Sequence, residues 1–221
     1  MQFDDEFVER STFCVIDLET SGLSSGDDRI LQIGAITVKL EPSDDADNAS
    51  AGGSNTTARR VRVIDEWSTL VRLGWPLRRV GPTDIHGLRR RDLLTARSAR
   101  SALLELRDHL DDNIVVAHNA RFDAAFLAHA AQRHHIDLGV DRFLCTLRLA
   151  RLADPDRTHS HRLVALCERY GIVHARPHDA LEDARAAAMV LPHLIASSPD
   201  DWARDASVWV DVETAERLGS T

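Results

Sequence analysis

The sequence predicts an α/β fold, in which an antiparallel hairpin region precedes alternating helices and strands with a parallel strand pair. Two observations carry this prediction. Three β-type segments come first, within residues 11–73. From Arg90 the apolar residues switch to helical spacing, which completes the order βββαβαβαα.

The elements follow in turn. Residues 11–18 form a mostly apolar run, the pattern of a central strand buried on both faces. Residues 29–40 carry Ile30, Ile33, Ile36 and Val38, and residues 60–73 alternate through Val61, Val63, Trp67 and Val71. Between them, 43–58 is rich in Ser, Asp, Asn, Gly and Thr, with no apolar side chain larger than alanine. It buries too little surface to offset the entropy of ordering, so a flexible loop insertion is expected there. Leu93, Leu94, Leu103, Leu104 and Leu110 then recur at helical spacing. A short strand at 113–117, an alanine-rich helix at 120–135 and a further strand at 142–147 follow. Helices are expected at 160–170, stopped by Gly171, and at 179–195. These elements make one domain over 11–196, with an N-terminal extension at 1–10 and a C-terminal tail at 197–221 that has no clear period.

Composition narrows the function classes. A hydrophobic share of 43% and a charged share of 28% suit a globular chain. No apolar run approaches the roughly 20 residues of a membrane span, so no membrane partner is expected. Residues 1–10 are acidic and mixed, unlike a signal peptide. Cys14, Cys145 and Cys167 are too few and scattered for a disulfide framework, and they read as packing residues in a cytoplasmic protein. The net charge of −8 is unevenly spread: 59–100 holds eleven arginines against four acids, a local +7 that leaves −15 elsewhere. A basic arm beside an acidic body suits phosphate binding on one face and cation binding on another. A solvated helix and hairpin would show the same charges.

Three constellations carry chemistry. In the first, Asp17 and Glu19 alternate on a strand and therefore share a face just after the apolar stretch 13–16. Two carboxylates held together at a buried strand end repel unless a cation lies between them, and oxygen ligands suit Mg²⁺ or Mn²⁺. An acidic turn ending the strand is the plainer explanation. The second is His118-Asn119-Ala120-Arg121-Phe122-Asp123, where Asn119 is expected to cap a helix and Asp123 to lie one turn in, at the crevice where α/β sheets bind ligands. A cap and a favourable first-turn charge would need no ligand. The third is His178-Asp179-Ala180-Leu181-Glu182-Asp183. Asp179 and Glu182 have capping-box spacing, which leaves His178 on flexible backbone before the helix and Asp183 in its second turn. A loop histidine suits proton abstraction near neutrality. The pairs His134-His135 and His159/His161 lack a third ligand at a recognisable spacing and are expected on the surface.

Taken together, the three motifs Asp-x-Glu, Asn-x-x-x-Asp and His-x-x-x-x-Asp resemble those of the DEDDh 3′→5′ exonucleases, especially proofreading ε-type enzymes and their free-standing relatives. Flanking matches at Thr20-Ser21-Gly22-Leu23, Ile85-His86-Gly87-Leu88 and 163–171 extend the resemblance over residues 11–194. It implies a ribonuclease-H-like fold with a five-stranded mixed sheet, three antiparallel strands then two parallel ones. It also implies two divalent ions, Mg²⁺ or Mn²⁺, one held by Asp17, Glu19 and Asp183 and the other by Asp17 and Asp123. His178 would be the general base, releasing nucleoside 5′-monophosphates from a nucleic-acid 3′ end. Thr20, Leu23, His86, Asn119 and Phe122 match substrate-binding positions. The expected substrate is DNA, with RNA 3′-end trimming or oligoribonuclease activity as the alternative within the family. A non-catalytic nucleic-acid-binding scaffold is the alternative from another class. The segment 197–221 has no glutamine for a clamp-binding peptide, so a free-standing enzyme is favoured over association with a DNA polymerase.

Overall fold

The computed structural model describes residues 5–43, 59–74 and 79–219. Most of the expected loop insertion at 43–58 lies outside the described residues. A short helix α1 (Asp5–Arg10) leads into β1 (Thr12–Thr20), β2 (Ile30–Pro42) and β3 (Arg59–Leu70). One helical turn, α2 (Thr83–His86), precedes α3 (Ala99–Leu110), β4 (Ile114–Ala117), α4 (Arg121–His134) and β5 (Arg142–Cys145). The chain continues as α5 (Thr146–Ala153), α6 (Leu163–Tyr170), α7 (Ala180–Ser197), β6 (Trp209–Asp211) and α8 (Val212–Gly219).

The sheet is mixed and runs β3-β2-β1-β4-β5-β6. The first three strands are antiparallel, β1–β4 and β4–β5 are parallel, and β6 returns antiparallel to β5. This is the expected α/β, ribonuclease-H-like architecture with one strand more than the five expected. The sixth strand comes from the aperiodic segment after 197, where Trp209 pairs with Leu144 and Val210 with Phe143. Three residues are too few to show a period, so only the pairing with β5 reveals them as a strand. From the same segment, α8 packs on α4.

Alternation along β1 splits the core into two layers. Phe13 and Val15 face one cluster with Leu166, Ala184, Leu191 and Ile195, under α6 and α7. Cys14, Ile16 and Leu18 face the other with Leu103, Leu106, Phe126 and Leu127, under α3 and α4. With helices on both faces, the central strand has no solvated side, hence its continuous apolar run. Full burial of each Val, Ile or Phe in such a layer contributes about 1.5–3 kcal/mol.

Other boundaries shifted for identifiable reasons. The strand expected over 142–147 stops at Cys145, and Thr146 opens the amphipathic helix α5, which buries Leu149 and Ala150. The helical spacing from Arg90 is interrupted, with a 3-10 turn at Arg90–Leu93 and a new start at Ala99 capped by the Ser98 side chain. As expected, Gly171 ends α6 in the left-handed conformation, and the three cysteines are buried. His161, expected on the surface, is buried and hydrogen-bonds Asp154 at 3.0 Å. Among the described residues, no helix is long and apolar enough to cross a membrane.

Candidate active site

The site lies at the carboxyl ends of β1 and β4, where the two layers meet, a position that open α/β sheets commonly use. Phe13 to Ile16 are fully buried. Asp17 and Glu19 then share the parity of Val15, which directs them toward α7. Across the sheet, Asp17 sits opposite Gly34 and Glu19 opposite Gln32.

Gly34 and Gln32 dock the start of α7. A Cβ on Gly34 would lie 2.3 Å from the Ala180 carbonyl carbon, so no side chain fits between strand and helix. The Ala180 N–H donates to Gln32 Oε1 at 3.4 Å. Further along, Arg185 holds Glu66 of β3 through two bonds of 2.7 and 2.6 Å. Asp179 caps the helix by accepting from the Glu182 N–H, so half of the expected capping box forms. Glu182 turns its carboxylate to Arg176 and Arg185 instead of back to Asp179. Asp183 therefore falls in the first turn of α7 rather than the second. Gly34→Ala is expected to push α7 off β2, costing about 1–3 kcal/mol as overpacking does. Thermal melts with and without Mg²⁺ test this; an unchanged melting temperature would show that the helix accommodates the methyl group.

Asn119 does not cap α4. The cap position belongs to Ala120, which makes no side-chain bond, while Asn119 takes a left-handed φ of 60° that asparagine tolerates better than most residues. The sharp turn sends α4 back over the sheet and buries Asp123 to 3% exposure. His178 also has positive φ (67°), and its backbone N–H donates to Asp183 Oδ2 at 3.1 Å, so its main chain is tethered while its side chain is exposed.

All ten expected site residues line one cavity of about 350 Å³: Asp17, Glu19, Asp123, His178 and Asp183 with Thr20, Leu23, His86, Asn119 and Phe122. Thr20 donates to the Gly22 carbonyl at 2.7 Å, shaping the turn that leaves Leu23 88% exposed at the mouth. Phe122 also packs against the core beside Phe126. Leu88 donates its backbone N–H to His86 Nδ1, and burial lowers the pKa of that imidazole.

Sequence reasoning assigned no role to two contributors. His118 lines the cavity and bonds Thr146 Oγ1 at 2.9 Å; burial first, then Arg151, lowers its pKa to about 4. It is therefore a neutral wall at physiological pH, although its place in the second motif had marked it. His174 hydrogen-bonds Asp183 Oδ1 from the loop before α7. It sits at no motif spacing, so nothing in the sequence pointed to it.

Three of the carboxylates, Asp17, Glu19 and Asp123, are forced toward protonation. Burial, then Asp123, Asp183, Glu19 and Asp179, raises Asp17 well above the ordinary range. Burial is also the main cause for Asp123, against hydrogen bonds from its own and the Leu18 backbone. Glu19 is pushed up to about 8 by burial, Asp183 and Asp179. Oxygens that repel one another in a buried cleft fit a divalent cation, which would relieve the repulsion. Ligand atoms of Glu19, His178 and Asp183 lie within 4.8 Å of one another.

A pH test follows from Glu19. Its folded pKa of about 8 exceeds the ordinary 4.5, so the metal-free folded chain retains a proton that the unfolded chain has released. The resulting stabilisation is full below about pH 4.5 and is lost as pH rises through 8. Glu19→Gln mimics the protonated acid, so in EDTA its melting temperature should exceed that of the native chain by more at pH 8.5 than at pH 5.5. Equal gaps at both pH values would mean that Glu19 ionises freely.

Residues 52–191 match the RNase_T exonuclease family model. The chain belongs to this family of DEDD-type exonucleases. The match begins after β1, so Asp17 and Glu19 join the family's segment through the sheet. Among similar proteins, the PolC-type DNA polymerase III of Thermotoga maritima is 32% identical over 85% of the chain. That of Bacillus subtilis is 28% identical over 87%. The chain spans 12% of the length of each of these polymerases. Among solved structures, Escherichia coli exonuclease I in complex with a dT13 oligonucleotide aligns at a TM-score of 0.65 and 17% identity, covering 88% of this chain and 42% of that one. Exonuclease X in complex with 5′ overhanging duplex DNA aligns at 0.55 and 21%, covering 88% and 99%. At such identities these two structures show the shared fold of the exonuclease domain.

Proposed function

We propose that the chain is a divalent-metal-dependent exonuclease that hydrolyses DNA from its 3′ end and releases nucleoside 5′-monophosphates. The observation that carries the reading is the convergence of four carboxylates and one exposed histidine, from three separate segments, on one cavity. Asp17, Glu19 and Asp183 would hold one ion, Mg²⁺ or Mn²⁺, and Asp17 with Asp123 a second. Bound there, the ions would supply Lewis-acid stabilisation of the charge that develops on the phosphate and the departing 3′ oxygen.

The chain's own groups do the rest. His178 takes the proton of the attacking water, its main chain held by Asp183 while the imidazole stays accessible. Leu23 and Ile85, both exposed at the mouth, offer apolar surface to the terminal base. Phe122, His86 and Asn119 close the cavity around the last nucleotide, and Thr20 fixes the turn that carries Leu23.

The test uses 5′-labelled single-stranded DNA, duplex DNA with a 3′ mismatch, RNA and dinucleotides, each with a free or phosphate-blocked 3′ end. The expected result is a ladder shortening from the free 3′ end, strictly dependent on Mg²⁺ or Mn²⁺, with DNA preferred. Release from the 5′ end, or metal-independent binding without hydrolysis, would overturn the reading; the latter would favour a scaffold.

A further inference from the structure

We propose that His174 is a positioning residue, which holds the Asp183 carboxylate in the cleft for a divalent cation and so sets the affinity of the site for that ion. The proposal rests on the nuclease reading above and adds to it a residue outside the three motifs.

The chain delivers His174 from a fixed starting point. Gly171 ends α6 in the left-handed conformation, and the Ile172 N–H returns to the Cys167 carbonyl at 2.8 Å. Ile172 packs against the core under α6 and α7, and Val173 beyond it is 87% exposed. His174 turns inward again, with its side chain only 7% exposed. Its Nε2 hydrogen-bonds Asp183 Oδ1. An ionised carboxylate only accepts, so Nε2 donates and Nδ1 is bare in the neutral ring. Nδ1 is buried and has no hydrogen-bond partner among the described residues. A side chain placed there for packing alone would not bury an unpaired nitrogen, which costs free energy. The bond to Asp183 is what the imidazole contributes.

The second oxygen of Asp183 is held as well, since Oδ2 accepts the His178 N–H at 3.1 Å. Both donors lie in the one loop between α6 and α7, which Arg176 ties to Glu182 at 2.9 Å. Asp183 faces groups of its own sign: its charge is among the causes that oppose ionisation of Asp17 and Glu19. Without donors, that repulsion would turn so short a side chain out of the cleft once its neighbours ionise. Two N–H groups fix the carboxylate and leave a lone pair on each oxygen for a cation. Ligand atoms of Asp183, Glu19 and His178 lie within 4.8 Å of one another, close enough to share one ion. Hydrogen bonds that orient a ligating carboxylate in this way carry metal affinity, and losing one lowers it by about 10–100-fold.

The experiment titrates the full chain with Mn²⁺ by isothermal calorimetry at one pH, comparing the native protein with His174→Leu, His174→Gln and His174→Asn. Leucine fills the space without a donor. The glutamine amide reaches about as far as the imidazole Nε2, whereas the asparagine amide falls short. His174→Leu and His174→Asn should each bind Mn²⁺ about 10–100-fold more weakly, and His174→Gln should recover most of that loss. Melting in EDTA checks the folding of each variant. Should leucine unfold the chain, the glutamine and asparagine variants, both polar, decide the matter between them. A role in packing alone would lower the melting temperature in EDTA and leave Mn²⁺ affinity unchanged. Native affinity in His174→Leu, or equal losses in His174→Gln and His174→Asn, would overturn the proposal. Hydrolysis of dT20 by the native chain with Mn²⁺, measured in parallel, tests the nuclease reading separately. Hydrolysis alongside unchanged affinities in the variants defeats the proposal alone; a native chain that neither binds Mn²⁺ nor hydrolyses dT20 defeats both.

Discussion

Asp17→Ala is expected to lower phosphodiester hydrolysis by at least ~10³-fold while leaving the chain folded and, without metal, more stable. The reason is its central place in the cleft. Asp123, Asp183, Glu19 and Asp179 all oppose its ionisation, and burial opposes it further. Removing this carboxylate takes away the one ligand that both ion positions would share. It also relieves the repulsion that the empty cluster imposes on the fold. Two melting experiments follow. In EDTA the variant should melt at or above the native temperature. Saturating Mg²⁺ should raise the native melting temperature, since a ligand at 100 times its Kd stabilises by about 2.7 kcal/mol, and should barely move the variant. Native-like nuclease activity in Asp17→Ala protein cleared of host nucleases would sink the assignment of the site.

His178→Ala is expected to lower the single-turnover rate by roughly 10²–10⁴-fold at saturating metal, the usual contribution of a positioned acid–base group. Metal-induced stabilisation should survive, because all four carboxylates remain. Geometry makes the comparison necessary, since the imidazole lies within ligand range of Glu19 and Asp183. Were His178 a ligand, the variant would require more metal and then reach the native rate. The backbone needs its own control. His178 has a φ of 67°, and its N–H holds Asp183, so alanine could shift both. Asparagine tolerates the left-handed conformation better and lacks a proton-accepting ring. His178→Asn should therefore keep the main-chain tether and still lose the rate. Recovery of the native rate in that variant would mean that the loop conformation, not the imidazole, matters.

Much of the site was legible because its signals are local. The parity of Asp17 and Glu19 follows from a strand's period of two, and the buried run before them marks how deep that strand lies. The cap at Asp179 announces the start of α7, which places Asp183 to within one turn. Where local rules competed, they misled. Asn119 has the chemistry of a helix cap and equally that of a left-handed turn, and the crossing from β4 to α4 required the turn. His161 carries no apolar pattern, yet Asp154 draws it into the interior.

What the sequence by itself determined is the set of acidic and imidazole groups that line the cavity and the elements that bear them, because periodicity and capping act over a few residues. Only the tertiary structure decided how those groups meet. Bare Gly34 lets α7 approach until Asp183 faces Asp17 across the cleft, and His174 reaches Asp183 from a loop with no motif. The strand β6 exists only as a partner for β5. Arg29, Arg72 and Arg133, spread over a hundred residues of chain, line one cavity because a loop, a strand end and a helix converge there. Such contacts depend on distances between segments remote in sequence, and packing, not spacing, sets those distances.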